Sequence, residues 1–348
     1  MPTRARAALL LTTLAACGGI PTSPGGGPTP SPPPGSPVSG FLFYDENGNG
    51  IAEGGEVVRL PSVAVSIGGQ TGTTTTGGRF SLPSVPNGVQ TAQARAESLP
   101  AYFTSSEVSV TVPAAGDVPV PARLPIGTRN RPNVYLAFGD SITRGDGSSD
   151  GEGYVDDLRA QLRNFWGRAE MVNDGQPATR STAGEARIPG SLATSRAAYA
   201  LILYGTNDWN EPACRGAFQC ETVDALRSIV QDTRSAGAHP IVGTIPPVNP
   251  NYLDRNPTER NDWVRRMNDL IRQMAAQQRA QVAEIHGDFL KQPSLPPLFS
   301  DFLHPNDVGY GIISQSFFRA ITQPLPGAAA AAPDDAGPVL FVPPGPRP

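Results

Sequence analysis

The chain is 348 residues long, which leaves room for about two domains, and its 39% apolar and 17% charged residues are enough core-forming material to rule out global disorder. Its net charge of −4 speaks against nucleic acid as a partner, because a phosphate-binding surface needs clustered Lys and Arg and an overall basic bias. Glycine and proline, 38 residues each, are abundant and concentrate in a few stretches that mark linkers rather than packed elements.

Residues 1–16 read as an export signal. Arg4 and Arg6 supply a short positive region, Ala7–Ala16 is a mostly apolar run too short to span a bilayer, and small residues precede Cys17. Leu14-Ala15-Ala16-Cys17 resembles the lipobox of bacterial lipoproteins, which implies lipidation of Cys17 and an extracytoplasmic, membrane-anchored protein. The lipid would be its only contact with the membrane. Residues 17–37 are Gly/Pro/Ser-rich and uncharged after the cysteine, the composition of a tether.

Residues 38–125 read as all-β. Gly40–Tyr44, Val57–Ile67, Thr71–Leu82 and Glu107–Val112 are rich in Val, Thr and aromatic residues and are punctuated by Gly-Gly, Asn-Gly and proline turns. Short strands at this spacing predict a small β-sandwich. Within it, Asp45-Glu46-Asn47-Gly48-Asn49-Gly50 followed by Glu56 fits the calcium-loop pattern Asp-x-Asn-x-Asn-Gly-x5-Glu. Hard oxygen ligands at alternate positions, a glycine at the sharp turn and a carboxylate at position twelve suit calcium. The expected ligands are Asp45, Asn47, Asn49, the carbonyl of Ile51 and Glu56, with Glu53 direct or through water; the other reading is a plain Asn-Gly hairpin turn. With strands rather than helices as flanks, the segment resembles the B-type repeat domains of bacterial surface adhesins. That resemblance implies structural calcium, remote from any chemistry.

Pro125–Pro132 is the expected linker. Residues 133–322 then alternate apolar runs with helical stretches: Val134–Phe138 before Tyr154–Trp166, Glu170–Asn173, Ala200–Tyr204 before Glu221–Ser235, Pro240–Ile245 before Thr258–Arg279, and Gln281–Ile285 before Asp307–Ile321. This alternation predicts an α/β domain, a parallel sheet with helices on both faces and ligands bound beyond the carboxyl ends of its strands. Residues 323–348 are an Ala/Pro/Gly-rich tail, expected to be disordered.

Three blocks stand out: Gly139-Asp140-Ser141 at the end of the first expected strand of this domain, Gly205-Thr206-Asn207-Asp208 after the third, and Asp301-Phe302-Leu303-His304 before the last expected helix. A serine hydroxyl becomes a nucleophile when a histidine takes its proton. With Asp301 three residues before His304, one turn of chain can bring the carboxylate under the imidazole and hold it in the right tautomer. Asn306 is the expected N-cap of the last helix. His239 and His286, expected at the start and the end of strands, have no acidic residue three positions earlier.

Together the blocks resemble the SGNH/GDSL hydrolases over residues 133–321. The resemblance implies a three-layer α/β/α, flavodoxin-like fold and a serine esterase working through an acyl-enzyme, with no cofactor for catalysis. Ser141, Asp301 and His304 would be the catalytic residues. The oxyanion donors would be the N–H groups of Ser141 and Gly175 and the side chain of Asn207. A carbohydrate acetyl ester or short acyl ester is the expected substrate. The alternatives are a lysophospholipase or acyl-ester lipase, and a surface adhesin whose β-module binds glycan or matrix. Cys214 and Cys220 lie in one loop of an exported protein and are expected to form a disulfide, the alternative being two free thiols. Oligomeric state is not legible.

Overall fold

A computed structural model describes residues 35–325 apart from Gln219, and these belong to one compact unit. The signal segment, Cys17, most of the tether and the tail from residue 326 lie outside the described residues.

Among the described residues, eight strands form the N-terminal part: β1 Gly35–Tyr44, β2 Ala64–Ile67, β3 Gln70–Thr73, β4 Arg79–Pro86, β5 Gly88–Ala94, β6 Thr104–Ser105, β7 Val108–Val112 and β8 Val118–Arg123. They make two four-stranded sheets, ordered β4-β1-β8-β6 and β3-β2-β5-β7. Alternate residues face inward, as in β7, where Val110 and Val112 are buried between exposed neighbours. Val38, Leu42, Leu82 and Val120 of one sheet and Val65, Ile67, Ala92 and Val110 of the other share one core.

The strand expected over Val57–Ile67 is confined to β2. Before it, Val58 and Leu60 are buried in irregular chain that joins the sheet only through a bridge between Phe43 and Arg59. The run Thr71–Leu82 is a broken pair, β3 and β4, separated by the turn at Gly77-Gly78, both at positive φ. β5 and β8 went unpredicted. β5 is half polar and β8 carries two prolines, so neither reads as a strand until its partners are known.

The second part contains β9 Arg131–Gly139, α1 Ser141–Arg144, α2 Tyr154–Trp166, β10 Glu170–Gly175, α3 Ser181–Ser195, β11 Ala197–Leu203, α4 Pro212–Ala217, α5 Thr222–Ser235, β12 His239–Gly243, α6 Pro257–Gln277, β13 Gln281–Ala283, α7 Ile285–Leu290 and α8 Asp307–Thr322. Every strand pairing in this sheet is parallel, and the order is β10-β9-β11-β12-β13. β9 and β11 are buried on both faces, and their residues divide by parity. Tyr135, Ala137, Tyr199 and Leu201 pack with α2, α7 and α8, while Leu136, Phe138, Ala200 and Ile202 pack with α3, α5 and α6. The domain is therefore a three-layer α/β/α fold.

Two expectations shift. β9 begins at Arg131, inside the expected linker, because Arg131 already pairs with Ala197 of β11. α3 has no counterpart among the expected helices, because Gly184, Pro189 and Gly190 spoil its helical signature.

The sandwich core runs on into the α2–α7–α8 layer without a gap. Phe103 packs edge-on against both Tyr44 and Trp166. The Tyr102 hydroxyl donates to Pro240 O at 2.6 Å and accepts the Gln281 N–H at 2.8 Å, and its ring stacks on His239. Tyr199 donates to Ala101 O at 3.1 Å.

Candidate active site

Ser141 lies two residues past the last residue of β9, where the chain leaves the carboxyl end of the sheet. Asp140 turns strand into helix: its carboxylate caps α1 by accepting the Ile142 N–H at 3.0 Å. Ser141 behind it is 4% exposed.

The opposing wall comes from the loop before α8. Asp301 Oδ1 accepts the N–H groups of Leu303 and His304, each at 2.7 Å, so this loop wraps around the carboxylate. Its other oxygen meets His304 Nδ1 at 2.8 Å. Burial raises the pKa of Asp301, but the His304 ring and the two backbone N–H groups outweigh it and hold the carboxyl below the usual range. The ionised carboxylate fixes the ring proton on Nδ1 and leaves the Nε2 lone pair free. Nε2 lies 3.0 Å from Ser141 Oγ. Asn306 caps α8 by accepting from Val308 and Gly309.

Asn207 and Gly175 flank the serine. β10 and β11 lie on either side of β9, so Ser141, Gly175 and Asn207 emerge where the connections diverge, the usual ligand crevice of such sheets. Asn207 Nδ2 lies 3.0 Å from Thr179 O and 3.3 Å from Asp140 Oδ2. The Gly175 N–H is donated to Asn173 Oδ1 at 3.1 Å. A Cβ on Gly175 would sit 2.2 Å from Arg144 N, so only glycine lets β10 come this close to the serine's helix. These contacts set Asp301, His304 and Ser141 in one hydrogen-bonded chain, with polar N–H groups from two neighbouring strand ends beside it.

Residues 137–312, just over half of the chain, match the GDSL-like lipase/acylhydrolase family, and the match takes in all three blocks. The chain belongs to this family. It is accordingly a hydrolase acting on ester bonds. No curated protein sequence matches it. Similar solved structures each cover just over half of this chain. An alpha/beta hydrolase enzyme from the metagenome of Lake Arreo is 23% identical over 56% of this chain and 98% of its own, with a TM-score of 0.46. The lipase/acylhydrolase from Enterococcus faecalis is 20% identical over 55% and 95%, at 0.47. An acetylxylan esterase from Geobacillus stearothermophilus is 21% identical over 56% and 96%, at 0.44.

Several residues of this GDSL-family site carried no sequence signal. Asn249, after β12, donates its N–H to Phe302 O at 3.0 Å and its Nδ2 to Asp301 O at 3.4 Å, bracing the base loop. Arg260, buried in α6, donates to Thr206 O at 2.7 Å beneath the Asn207 loop and lies over the Phe302 ring. Burial brings its pKa down to about 10, against the opposing pull of Asp140. Asp140 belongs to the first block by sequence, and its buried carboxyl touches Asn207. The other histidines stand apart from the relay: His239 meets Pro125 O at 2.7 Å, and His286 lies within α7 rather than ending a strand, because β13 stops at Ala283.

Cys214 and Cys220 form a disulfide that closes the loop after Asn207. In the N-terminal loop, Asp45 and Glu56 are buried. Asp45 accepts the N–H groups of Gly48 and Gly50, Asn47 and Asn49 accept from Asn49 and Ile51, and Glu56 accepts from Glu46 and Glu53. Glu53 takes the side-chain amides of Asn47 and Asn49. This all-oxygen donor set has the chemistry for a hard cation. Arg123, however, lies 3.1 Å from Asp45 Oδ2 and also donates to Gly48 O, and among the described residues no three His, Cys, Asp or Glu side chains are grouped to hold a metal. A cation would have to draw on the asparagines and main chain and displace Arg123. The loop also touches the hydrolase part, since Glu46 accepts from Asn133 at 2.7 Å.

Proposed function

We propose that the protein is an extracytoplasmic serine esterase that cleaves short acyl esters, O-acetyl groups on carbohydrate above all, through an acyl-enzyme. The observation that carries the mechanism is the unbroken relay Asp301–His304–Ser141, with 2.8 Å and 3.0 Å contacts. Ser141 Oγ attacks the ester carbonyl as His304 Nε2 takes its proton, and Asp301 stabilises the imidazolium. The tetrahedral oxyanion is received by the N–H groups of Ser141 and Gly175 and by Asn207, the Gly175 N–H turning to it from Asn173 Oδ1 and the Asn207 amide from Asp140 Oδ2, each donor worth about 3 kcal/mol in the transition state. His304 then protonates the departing alcohol. In the second half it deprotonates a water that attacks the acyl carbonyl, and the carboxylic acid leaves.

The substrate class rests on the expected export and on the β-module, which could hold the enzyme at a polymer surface. A longer acyl chain is the second reading. It is favoured by an apolar rim beside the base, where Tyr252 and Phe302 pair at 5.9 Å and Leu253 is exposed. We further propose that Cys17 carries the lipid anchor. Structural calcium is proposed at Asp45, Asn47, Asn49, Ile51 O and Glu56, with Glu53 direct or through water.

The test is hydrolysis of acyl esters graded from acetyl to long chain, together with acetylated xylan, paired with phosphonate labelling. Short-chain preference and label on Ser141 alone are expected, with Ser141→Ala inactive and folded. Asp301→Asn should lower kcat with little change in KM. Label elsewhere with Ser141 unmodified would sink the assignment, and rates rising with chain length would favour the lipase reading.

A further inference from the structure

We propose that Arg187 is the positioning residue that sets the nucleophile and the two neighbouring oxyanion donors in register. The proposal rests on the roles assigned to Ser141, Gly175 and Asn207 above. Arg187 lies midway along α3 and is largely enclosed, with its guanidinium over the Phe138 ring at 4.1 Å. Its Nη2 lies 3.0 Å from Gly139 O, 2.6 Å from Asp174 O and 2.9 Å from the Tyr204 hydroxyl. Nε also reaches that hydroxyl, at 3.2 Å, and Nη1 pairs with the Asp174 carboxylate at 2.7 Å.

These partners are the ends of three adjacent strands. Gly139 is two residues before Ser141, Asp174 is one before Gly175, and Tyr204 is three before Asn207. One planar cation therefore holds the roots of the three loops that carry the nucleophile, Gly175 and Asn207. The link to Asn207 continues through side chains. The Tyr204 hydroxyl, accepting from Arg187, lies 3.3 Å from Thr179 Oγ1; the carbonyl of Thr179 in turn takes the Asn207 amide at 3.0 Å. Since Thr179 Oγ1 donates to Gln176 O, the proton between the two hydroxyls comes from Tyr204. α3 is brought close enough by Gly184, where a Cβ would lie 2.6 Å from the Tyr204 ring, one turn before Arg187.

A lysine could supply the charge but not the fork: a single ammonium cannot span two carbonyls, a carboxylate and a phenol set around a plane. Small misplacement is costly in such a site, because a shift of about 1 Å in a positioned group lowers rates on the order of 100-fold.

The experiment uses residues 35–325 intact and a short-chain nitrophenyl ester, with kcat expressed per site titrated by a serine-directed phosphonate. Normalising in this way removes any fraction of protein that is merely misfolded. Arg187→Met should lower kcat per titrated site roughly 10- to 100-fold with KM unchanged, and Arg187→Lys should recover part of the loss. In an Asn207→Ala background the Arg187→Met effect should shrink several-fold, as expected for residues acting through one another. If Arg187→Met does not fold, Arg187→Lys in the same cycle decides. Full kcat per site in the folded variant, or an undiminished effect in the Asn207→Ala background, overturns the proposal while leaving the serine mechanism standing. Activity retained by Ser141→Ala overturns both.

Discussion

Replacing Asp140 by Asn isolates the electrostatic cost of the carboxyl behind the nucleophile. The side chain is 1% exposed. Burial pushes its pKa up from 3.8 to about 7; the Ile142 N–H opposes the rise, and the Asp208 and Asp146 carboxylates add to it. In the unfolded chain the group loses its proton near 3.8, whereas the folded protein keeps it until about 7. Between those values the folded state binds more protons, so stability falls as pH rises and then levels off. About three units correspond to about 4 kcal/mol over the whole window, of which about 3 kcal/mol falls between pH 4.5 and 8. Asp140→Asn keeps a cap for α1 but has no proton to lose. Any hydrogen bond to Asn207 gained or lost contributes an offset that does not change with pH, so the slope is diagnostic. Denaturant unfolding of both proteins at pH 4.5, 6 and 8 should show the variant gaining on the wild type by about 3 kcal/mol across the series. A difference independent of pH would refute the reasoning and mean that Asp140 ionises as easily inside the protein as outside it.

Gly175→Ala should lower kcat sharply and destabilise by about 1–3 kcal/mol, because the new methyl meets the Arg144 backbone rather than a flexible side chain; steady-state kinetics and thermal melts check both. Tyr102→Phe strips the Gln281 N–H and Pro240 O of their partner at the junction of the two parts. It should cost about 1–3 kcal/mol, read as a lower melting temperature of one cooperative transition, with kcat per titrated site unchanged. Calcium at one hundred times its dissociation constant should stabilise the protein by about 2.7 kcal/mol, and Glu56→Ala should abolish that response. A calorimetric scan with and without chelator tests this, and an esterase rate that chelator leaves unchanged would keep the metal outside the reaction.

How much could be read before folding depends on whether the information was local. The relay was legible because its parts are short blocks: Asp301 and His304 are bridged by a single turn, and Gly139-Asp140-Ser141 is contiguous. The parallel sheet was legible because strands buried on both faces are continuous apolar runs, as in Val134–Phe138 and Ala200–Leu203. β5 and β8 were not, since a half-polar strand and a proline-bearing one become strands only through pairing with β7 and β1, whose register lies far away in sequence. α3 was not, because its glycines and proline weaken a local pattern that contact with Tyr204 and the sheet restores. The continuity of the two parts was hidden as well: Tyr102 meets partners at Pro240 and Gln281, which no spacing rule connects. Arg187 is the extreme case. The sequence determines that an arginine stands there, but only the fold brings the ends of three strands to it, since main-chain carbonyls have no signature in a side-chain alphabet.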